Sequence, residues 1–425
     1  MKNLMPHVQQ LRDALFLLPF LSLVFFTNKA VAQDWSAIGS GLPFWTHAVC
    51  EYNGEIIAGG EAPGFLKRFD GVNWVDIGGG VDGQVNALTV YNGELIAAGQ
   101  FVNAGGIEVM FIAKWDGIEW LDLEGGTNST VSALTIYNGN LIAGGYFTDA
   151  NGPANYIAQW DGHAWSALGA GAGGTQGQVL ALTVYQNELI AAGFFTSAGG
   201  NPANHIAKWN GTTWSSLGGG VAQIIYALTT YGSNLVAGPG LVWNGSTWST
   251  LGVGPGGGTY GYTLSLCANG TSLYAGGIFT SAGGNPASSI AKWDGASWSN
   301  MNGGMFHPSL AAVFVVTPYQ NGCIAGGIFS SAGGTSTSHI AQWREAGAPP
   351  PPAVNDLAIL PEGNNVTLAW SSQGSQYFLI YEDVSSEGTF TNLVAATMDT
   401  FATVPIDPAQ SATRYYIVIA SEQTP

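Results

Sequence analysis

The sequence predicts an all-β chain: a seven-bladed β-propeller closed by its N-terminal strand, followed by a small β-sandwich. Three observations carry that prediction. First, a hairpin motif, IAKWDGIEW at Ile112 to Trp120, recurs as IAQWDGHAW (Ile157 to Trp165), IAKWNGTTW (Ile206 to Trp214) and IAKWDGASW (Ile290 to Trp298). Weaker copies are LKRFDGVNW (Leu66 to Trp74) and LVWNGSTW (Leu241 to Trp248), and a half-copy, IAQW, stops at Trp343. Second, the stretches between copies each hold two further short apolar runs. Third, an unpaired outer run, WSAI (Trp35 to Ile38), stands ahead of the first repeat and matches the run that the last repeat lacks.

The second repeat shows the unit most clearly. VNALTVY (Val85 to Tyr91) alternates, Asn92-Gly93 turns, and ELIAAGQF (Glu94 to Phe101) returns. A Gly-rich loop follows, then FIAKW (Phe111 to Trp115), Asp116-Gly117 and WLDL (Trp120 to Leu123). Asn-Gly and Asp-Gly between apolar runs are read as type I′ turns, which need φ > 0 at both central residues. Trp35, Trp74, Trp120, Trp165, Trp214, Trp248 and Trp298 open successive units at intervals of roughly 34 to 50 residues, and four short antiparallel strands repeated at that period read as a propeller. WSAI is expected to complete the seventh blade, which removes a sheet edge that would otherwise invite aggregation. The hairpin tryptophans are expected to fill space between blades.

The paired glycines closing the second run (Gly59-Gly60, Gly144-Gly145, Gly276-Gly277, Gly326-Gly327) precede an aromatic hairpin ending W-x-x-L. That arrangement resembles kelch-type propeller repeats. The fuller pattern LIAGGxFTxAGGxPAxxIAxWDG is similar to the kelch-like repeats of bacterial secreted proteins and of fungal cortical polarity markers. The resemblance covers about residues 34–345. It implies a propeller fold without implying one activity, since such propellers include enzymes, scaffolds and binders. Ala98-Gly99 and Ala192-Gly193 depart from the double glycine, and Gly238-Pro239-Gly240 marks an irregular fifth blade.

The segments outside the repeats have their own composition. Residues 1–32 read as a signal peptide: Lys2 and Arg12, an apolar run from Ala14 to Phe26, then Ala30-Val31-Ala32 as the cleavage site. The apolar run is too short to span a bilayer, so no membrane insertion is expected after cleavage. Residues 33–345 are the propeller. Residues 346–353, with Pro349 to Pro352, form a stiff linker. In residues 354–425 the runs NNVTLAWSS, SQYFLIYED, TFATVPI and RYYIVIA read as strands, and the module resembles a fibronectin type III sandwich.

A formal charge of −17 with only 10 Lys and Arg argues against nucleic acid as a partner. It suits a neutral glycan, a cation or a basic surface protein. No cofactor is implied. Cys50, Cys267 and Cys323 are read as buried apolar thiols, with one disulfide as the alternative in an exported protein.

Function is expected on the face that carries the loops entering each innermost strand. Those loops are polar in the second to fourth repeats, where Asp82 lies. Elsewhere they are aromatic: Phe44, Trp45 and His47 in the first, Tyr226 in the fifth, Tyr260 and Tyr262 in the sixth, Phe306 and His307 in the seventh. In a ring, this sets an aromatic arc opposite a polar one, a pairing that suits sugar rings. The same aromatics could instead simply plug the axis. His47, His307 and His339 do not read as a metal site, because His339 begins a third strand and lies well out from the axis. Asp149 opens no Ca²⁺ loop, since the twelfth position is Trp160. Of the sequons at Asn128, Asn210, Asn244, Asn269 and Asn365, three (Asn210, Asn244 and Asn269) are also Asn-Gly turns, and no metalloprotease, Ser-His-Asp or P-loop signature occurs. The reading is an exported, non-catalytic binding or display protein for a glycan or surface protein. An extracellular polysaccharide-acting enzyme and a purely structural surface protein are the alternatives.

Overall fold

A computed structural model describes residues 33–61, 65–174, 177–256 and 261–345, and six strands between Ala358 and Ser421. The signal-peptide and linker readings lie outside the described residues. Gln33–Glu345 forms one compact unit. Among the described residues there is no helix, and no sheet closes on itself.

Seven sheets in this unit have four antiparallel strands. Numbered by repeat, their first strands are Thr46–Tyr52, Val85–Tyr91, Val131–Tyr137, Gln178–Tyr185, Leu228–Tyr231, Tyr262–Asn269 and Ala312–Tyr319. In sheet 2 the order continues through Glu94–Gly99 and Ile112–Trp115 to Trp120–Asp122. Second strands are apolar without alternation because they are covered on both faces; Leu95, Ile96, Ala97 and Ala98 are all fully buried. First strands of consecutive sheets lie side by side, and the first strand of sheet 7 lies beside that of sheet 1. Sheet 7 takes its outer strand from the other end of the unit: Asp34–Ala37 pairs with Ile340–Arg344, Trp35 opposite Trp343.

Each outer-strand tryptophan does two things. Its ring tilts against the tryptophan or phenylalanine across the hairpin, as for Trp115 and Trp120 at 5.5 Å. Its indole N–H also leaves its own sheet and donates to the carbonyl that ends the W-x-x-L of the preceding one. Trp120 donates to Ile77, Trp165 to Leu123 and Trp214 to Leu168. Trp248 donates to Leu217, Trp298 to Leu251 and Trp74 to Ile38. The seventh bond, from Trp35 to Met301 at 2.9 Å, returns the series to its start. A buried N–H without a partner would cost about 1–3 kcal/mol, so the fixed phase of Trp and Leu is a hydrogen-bonding requirement as well as a packing one.

The hairpin turns correct one sequence expectation. Asn53-Gly54 and Asn92-Gly93 have φ > 0 at both residues and are tight two-residue turns. The Asp-Gly turns are not. Trp115 pairs with Trp120 across four loop residues, and only Gly117 has φ > 0. Asp116 Oδ1 accepts from the backbone N–H groups of Ile118 and Glu119, at 2.8 Å each, so the aspartate closes the loop with its side chain. Asn210 and Asn244 do the same.

The glycine pairs have separate jobs. A Cβ on Gly144 would meet the Val179 side chain of the next sheet at 2.5 Å. Where the neighbour allows it, alanine stands there instead: Ala98 packs with Val131. The second glycine faces backbone. A Cβ on Gly145 would lie 2.2 Å from the Thr130 carbonyl oxygen, and on Gly99 it would lie 1.9 Å from that of Gln84. At the same level the first strand carries one extra residue: Val131 pairs with Gly145 but Ala133 with Gly144, which leaves Ser132 bulged. Sheets 1, 2, 4, 6 and 7 share this bulge, and sheet 5 lacks it.

In the C-terminal part, Ala358–Glu362, Asn365–Ala369 and Phe401–Pro405 form one antiparallel sheet in that order. Asn392–Thr397, Tyr377–Asp383 and Tyr415–Ser421 form a second. The strands at 358–362 and 392–397 were not expected from the sequence.

Two stability predictions follow from these contacts. Trp35→Phe and Trp165→Phe should each cost about 1 kcal/mol in urea unfolding, because each removes one buried inter-sheet hydrogen bond and leaves the accepting carbonyl only its turn bond from Gly304 or Gly126. A neutral Trp35→Phe beside a costly Trp165→Phe would show that the N-terminal strand is not docked. Gly145→Ala should cost about 3 kcal/mol by forcing backbone apart, against about 1 kcal/mol for Gly144→Ala.

Candidate functional site

The bulge decides what faces the axis. The residue before it is fully buried in the sheet stack: Thr46, Val85, Val131, Val179, Thr263 and Val313. The bulged residue itself is half-buried: His47, Asn86, Ser132, Leu180, Leu264 and Phe314. Tyr226 holds the same place in sheet 5, after buried Ile225. All seven line one cavity of about 550 Å³, together with Gln100, Ser129, Thr130 and Tyr146. A smaller cavity of about 210 Å³ shares His47, Asn86, Tyr226, Leu264 and Phe314, and its other lining includes Ala48, Ala87, Ala133, Ala181 and Ala227. The first strands follow one another side by side, and one position from each of the seven sheets meets in this cavity.

The ring is divided. Leu180, Tyr226, Leu264 and Phe314 form an apolar arc on sheets 4 to 7, and His47, Asn86 and Ser132 form a hydrogen-bonding arc on sheets 1 to 3. Several members are held in place. Asn86 Oδ1 accepts from Gln84 Nε2 at 2.9 Å, and Asn86 Nδ2 donates to the Val131 carbonyl at 3.0 Å. The Tyr226 and Tyr262 rings tilt against each other at 5.5 Å. The Tyr226 hydroxyl is held above its usual range by burial, and then by Tyr262 and Tyr146. His47 stacks on Phe314 with centroids 4.3 Å apart and planes within 8°. Its Nε2 lies 3.0 Å from Glu61 Oε1. Burial lowers the imidazole's affinity for a proton, and the Glu61 carboxylate only partly offsets that. At neutral pH the pair is therefore a neutral imidazole donating Nε2–H to a carboxylate, not an ion pair.

The residues singled out in the sequence are spread differently. His47 and Tyr226 line the cavity. Tyr262, exposed, reaches the site through Tyr226. Tyr260 lies outside the described residues. Phe44 is a correction: at 1% exposure it fills the core with Leu42 and Ile340, so it cannot touch a ligand. Trp45 is exposed but is not part of the cavity lining. Asp82 is a loop clamp. Its carboxylate accepts from the backbone N–H groups of Val102 and Asn103 and from Asn103 Nδ2. Burial alone would raise its pKa, and these bonds together hold it below the usual range. Phe306 is in a two-residue strand against Ser331–Ala332, 61% exposed. His307 Nδ1 accepts from the Ser309 N–H and so closes its own turn.

The Gly-rich loops are equally committed. Asn103–Ala104 and Ile107–Glu108 form a small hairpin, and Ala104, Ala198, Ala282 and Ala332 of the equivalent loops are buried. Asn86, Ser132, Leu180, Leu264 and Phe314 were missed because they sit inside strands, where loop composition gives no cue.

Among the described residues, no group of three His, Cys, Asp or Glu could hold a metal ion. The three cysteines are free; burial pushes the Cys50 thiol up to about 12, with Glu51 adding to it. Of the sequon asparagines, Asn128, Asn210, Asn244 and Asn269 have their side chains tied to loop backbone.

No known family model matches the chain, and no curated protein matches it. Solved structures do resemble it. The WD40 β-propeller domain of Doa1 aligns over 74% of this chain and 97% of its own, at 11% identity and a TM-score of 0.47. The extracellular domain of the hybrid two-component system BT4673 from B. thetaiotaomicron aligns over 94% of this chain and 60% of its own, at 12% identity and 0.49. The computationally designed protein Ika8 aligns over 74% of this chain and 100% of its own, at 17% identity and 0.45.

The buried imidazoles generate a pH prediction. His47 and His339 both sit below the ordinary imidazole value, burial being the first cause in each. The unfolded chain therefore takes up protons that the folded chain does not, and stability present above about pH 6.5 is lost as pH falls below it. The melting temperature should drop between pH 7.5 and 5.0, and His47→Gln should shrink the drop. An identical drop in the variant would remove His47 from the explanation.

Proposed function

We propose that this chain is an exported, non-catalytic binding or display protein, a seven-bladed kelch-like propeller whose axial mouth holds a carbohydrate or a partner protein's surface. One observation carries the reading: seven homologous positions, one per repeat, converge on a single cavity while the residue before each is a buried β-branched core residue. Repeats need identical cores, but nothing in packing requires the seven convergent residues to be His, Asn, Ser, Leu, Tyr, Leu and Phe. A split between amide or hydroxyl groups and aromatic faces fits a ligand with one hydroxylated and one C–H-rich side.

The rest of the reading has its own support. The seven four-stranded sheets, the docking of Asp34–Ala37 on Ile340–Arg344 and the return of the indole series to Trp35 favour seven blades and closure at the N-terminal strand. The two jobs of the glycine pair fit the kelch-like repeat. The C-terminal sheets, with the first, second and fifth strands in one and the third, fourth and sixth in the other, fit a fibronectin type III-like sandwich. Export rests on residues 1–32. A polysaccharide-cleaving enzyme at the mouth would use a pair of carboxylates. The described lining of the cavity contains no Asp or Glu, which favours binding.

The test is a glycan and polysaccharide array probed with the chain from Gln33 onward, beside Tyr226→Ala/Phe314→Ala and Trp45→Ala. Binding should fall at least about tenfold in the double variant, equivalent to about 1.4 kcal/mol, and persist in Trp45→Ala. Equal binding by all three proteins would move the site away from the mouth.

A further inference from the structure

We propose that the mouth takes the terminal ring of an uncharged saccharide, its C–H face against Tyr226 and Phe314 and its hydroxyls toward Asn86 and Ser132. This rests on the mouth being a binding site and goes further by fixing the charge of the ligand and the part of it that enters.

The charge follows from what lines the cavity. Its described lining contains no Lys, Arg, Asp or Glu, and its one titratable base is His47. The nearest acid, Glu61, already accepts the His47 N–H. Five of the chain's few cations are likewise engaged: Lys67 with Asp76, Arg68 with Glu55, Lys114 with Glu94, Lys208 with Glu188 and Lys292 with Glu345. An anionic sugar would meet no counter-charge in the mouth and a field set by a formal charge of −17. An ammonium sugar would be drawn to the protein as a whole but would lose water in the mouth with no carboxylate to replace it. A neutral ring avoids both penalties.

The shape follows from the ring of strands. A space of about 550 Å³ is in the range of small-ligand sites. Each of the seven sheets contributes one side chain to it, so a chain end entering the mouth can meet the apolar and the hydrogen-bonding arcs at once, whereas the middle of a polymer lying across the mouth would meet only part of the ring. Anchored groups such as Asn86, held by Gln84 and Val131, present fixed donors and acceptors and lower the ordering cost of binding.

The experiment titrates the chain from Gln33 onward at pH 7.5 with methyl glycosides of glucose, galactose, mannose and N-acetylglucosamine. Each is run beside its uronic acid or amino-sugar counterpart, and a cyclic glucan, which has no end, is run beside a linear one. Binding is read by ligand-observed NMR and calorimetry. At least one neutral glycoside should bind, its charged counterparts at least about tenfold more weakly, and the linear glucan should bind better than the cyclic one. Tyr226→Ala should weaken the neutral ligand about tenfold or more. Ser132→Leu, which narrows the mouth without removing a structural hydrogen bond, should do the same if Tyr226→Ala fails to fold. Equal or tighter binding of charged counterparts, or of the cyclic glucan, overturns the proposal. So does the absence of glycoside binding when the array ligand is still lost in Tyr226→Ala/Phe314→Ala, although the mouth then stands as a site for another ligand. If that double variant changes nothing on the array, the mouth itself is abandoned.

Discussion

The rest of the structure depends on an indole N–H that is never satisfied within its own sheet. A tryptophan at the start of each outer strand is too large to leave in water and too polar to bury without a partner. The partner is the carbonyl where the previous outer strand ends, which uses one lone pair for a backbone turn, as Ile77 does for Gly80, and offers the other to the indole. Each sheet therefore supplies the acceptor that its neighbour's indole needs, and a sheet taken alone would leave that donor without a partner. The consequence is a demand for continuation, which is met at Met301 and Trp35 only because the chain's first strand sits on its last sheet. The ends are fixed further by Glu345, which accepts from Gln33, Tyr274 and the Trp343 indole.

A second constraint turns that scaffold into a site. The glycine opposite each bulge lets a backbone carbonyl approach where a Cβ would stand, and the chain gains one residue on the axial strand without shifting the core register. Without the extra residue, alternation would place successive side chains into the neighbouring sheets, and the axis would be lined by the same small residues in every repeat. The bulge gives each repeat one side chain that packing does not dictate. Core packing and cavity lining thereby fall to different residues a single position apart: Val85 is buried, and Asn86 faces the cavity.

The fold was legible because its signals are periodic. Trp, Gly and the W-x-x-L phase recur often enough that one degraded copy, such as the sheet built on Leu241–Trp243, does not break the register. The turn chemistry was only half legible. The turn dipeptides look alike in sequence, yet Asn53-Gly54 and Asn92-Gly93 between first and second strands close two-residue turns by backbone geometry, whereas the Asp-Gly or Asn-Gly after the third strand closes a four-residue loop with a side-chain oxygen. The site was less legible still. Loop composition pointed to Phe44, Trp45, Asp82 and His307, each of which is committed to the core, the exposed rim or a local turn. His47 and Tyr226 were found because they border the loops, whereas Asn86 and Phe314 look like ordinary strand residues.

The signal that identifies those residues was nevertheless present, in a comparison the chain makes with itself. Aligned at the buried residue, the seven first strands read Thr46, Val85, Val131, Val179, Ile225, Thr263 and Val313, all β-branched. Two positions later they read Ala48, Ala87, Ala133, Ala181, Ala227, Ser265 and Val315, all small or β-branched. Between these uniform columns stands one that runs from imidazole to amide, hydroxyl, aliphatic and aromatic. Internal repeats share a backbone and a core, so packing acts alike on each column and should make each uniform. A column that is heterogeneous while its neighbours are not is one that packing does not govern. Neither does solvent exposure explain it, because these residues are half-buried in every sheet. What remains is a requirement that differs from repeat to repeat, and the asymmetric ligand proposed for the mouth would impose a requirement of that kind.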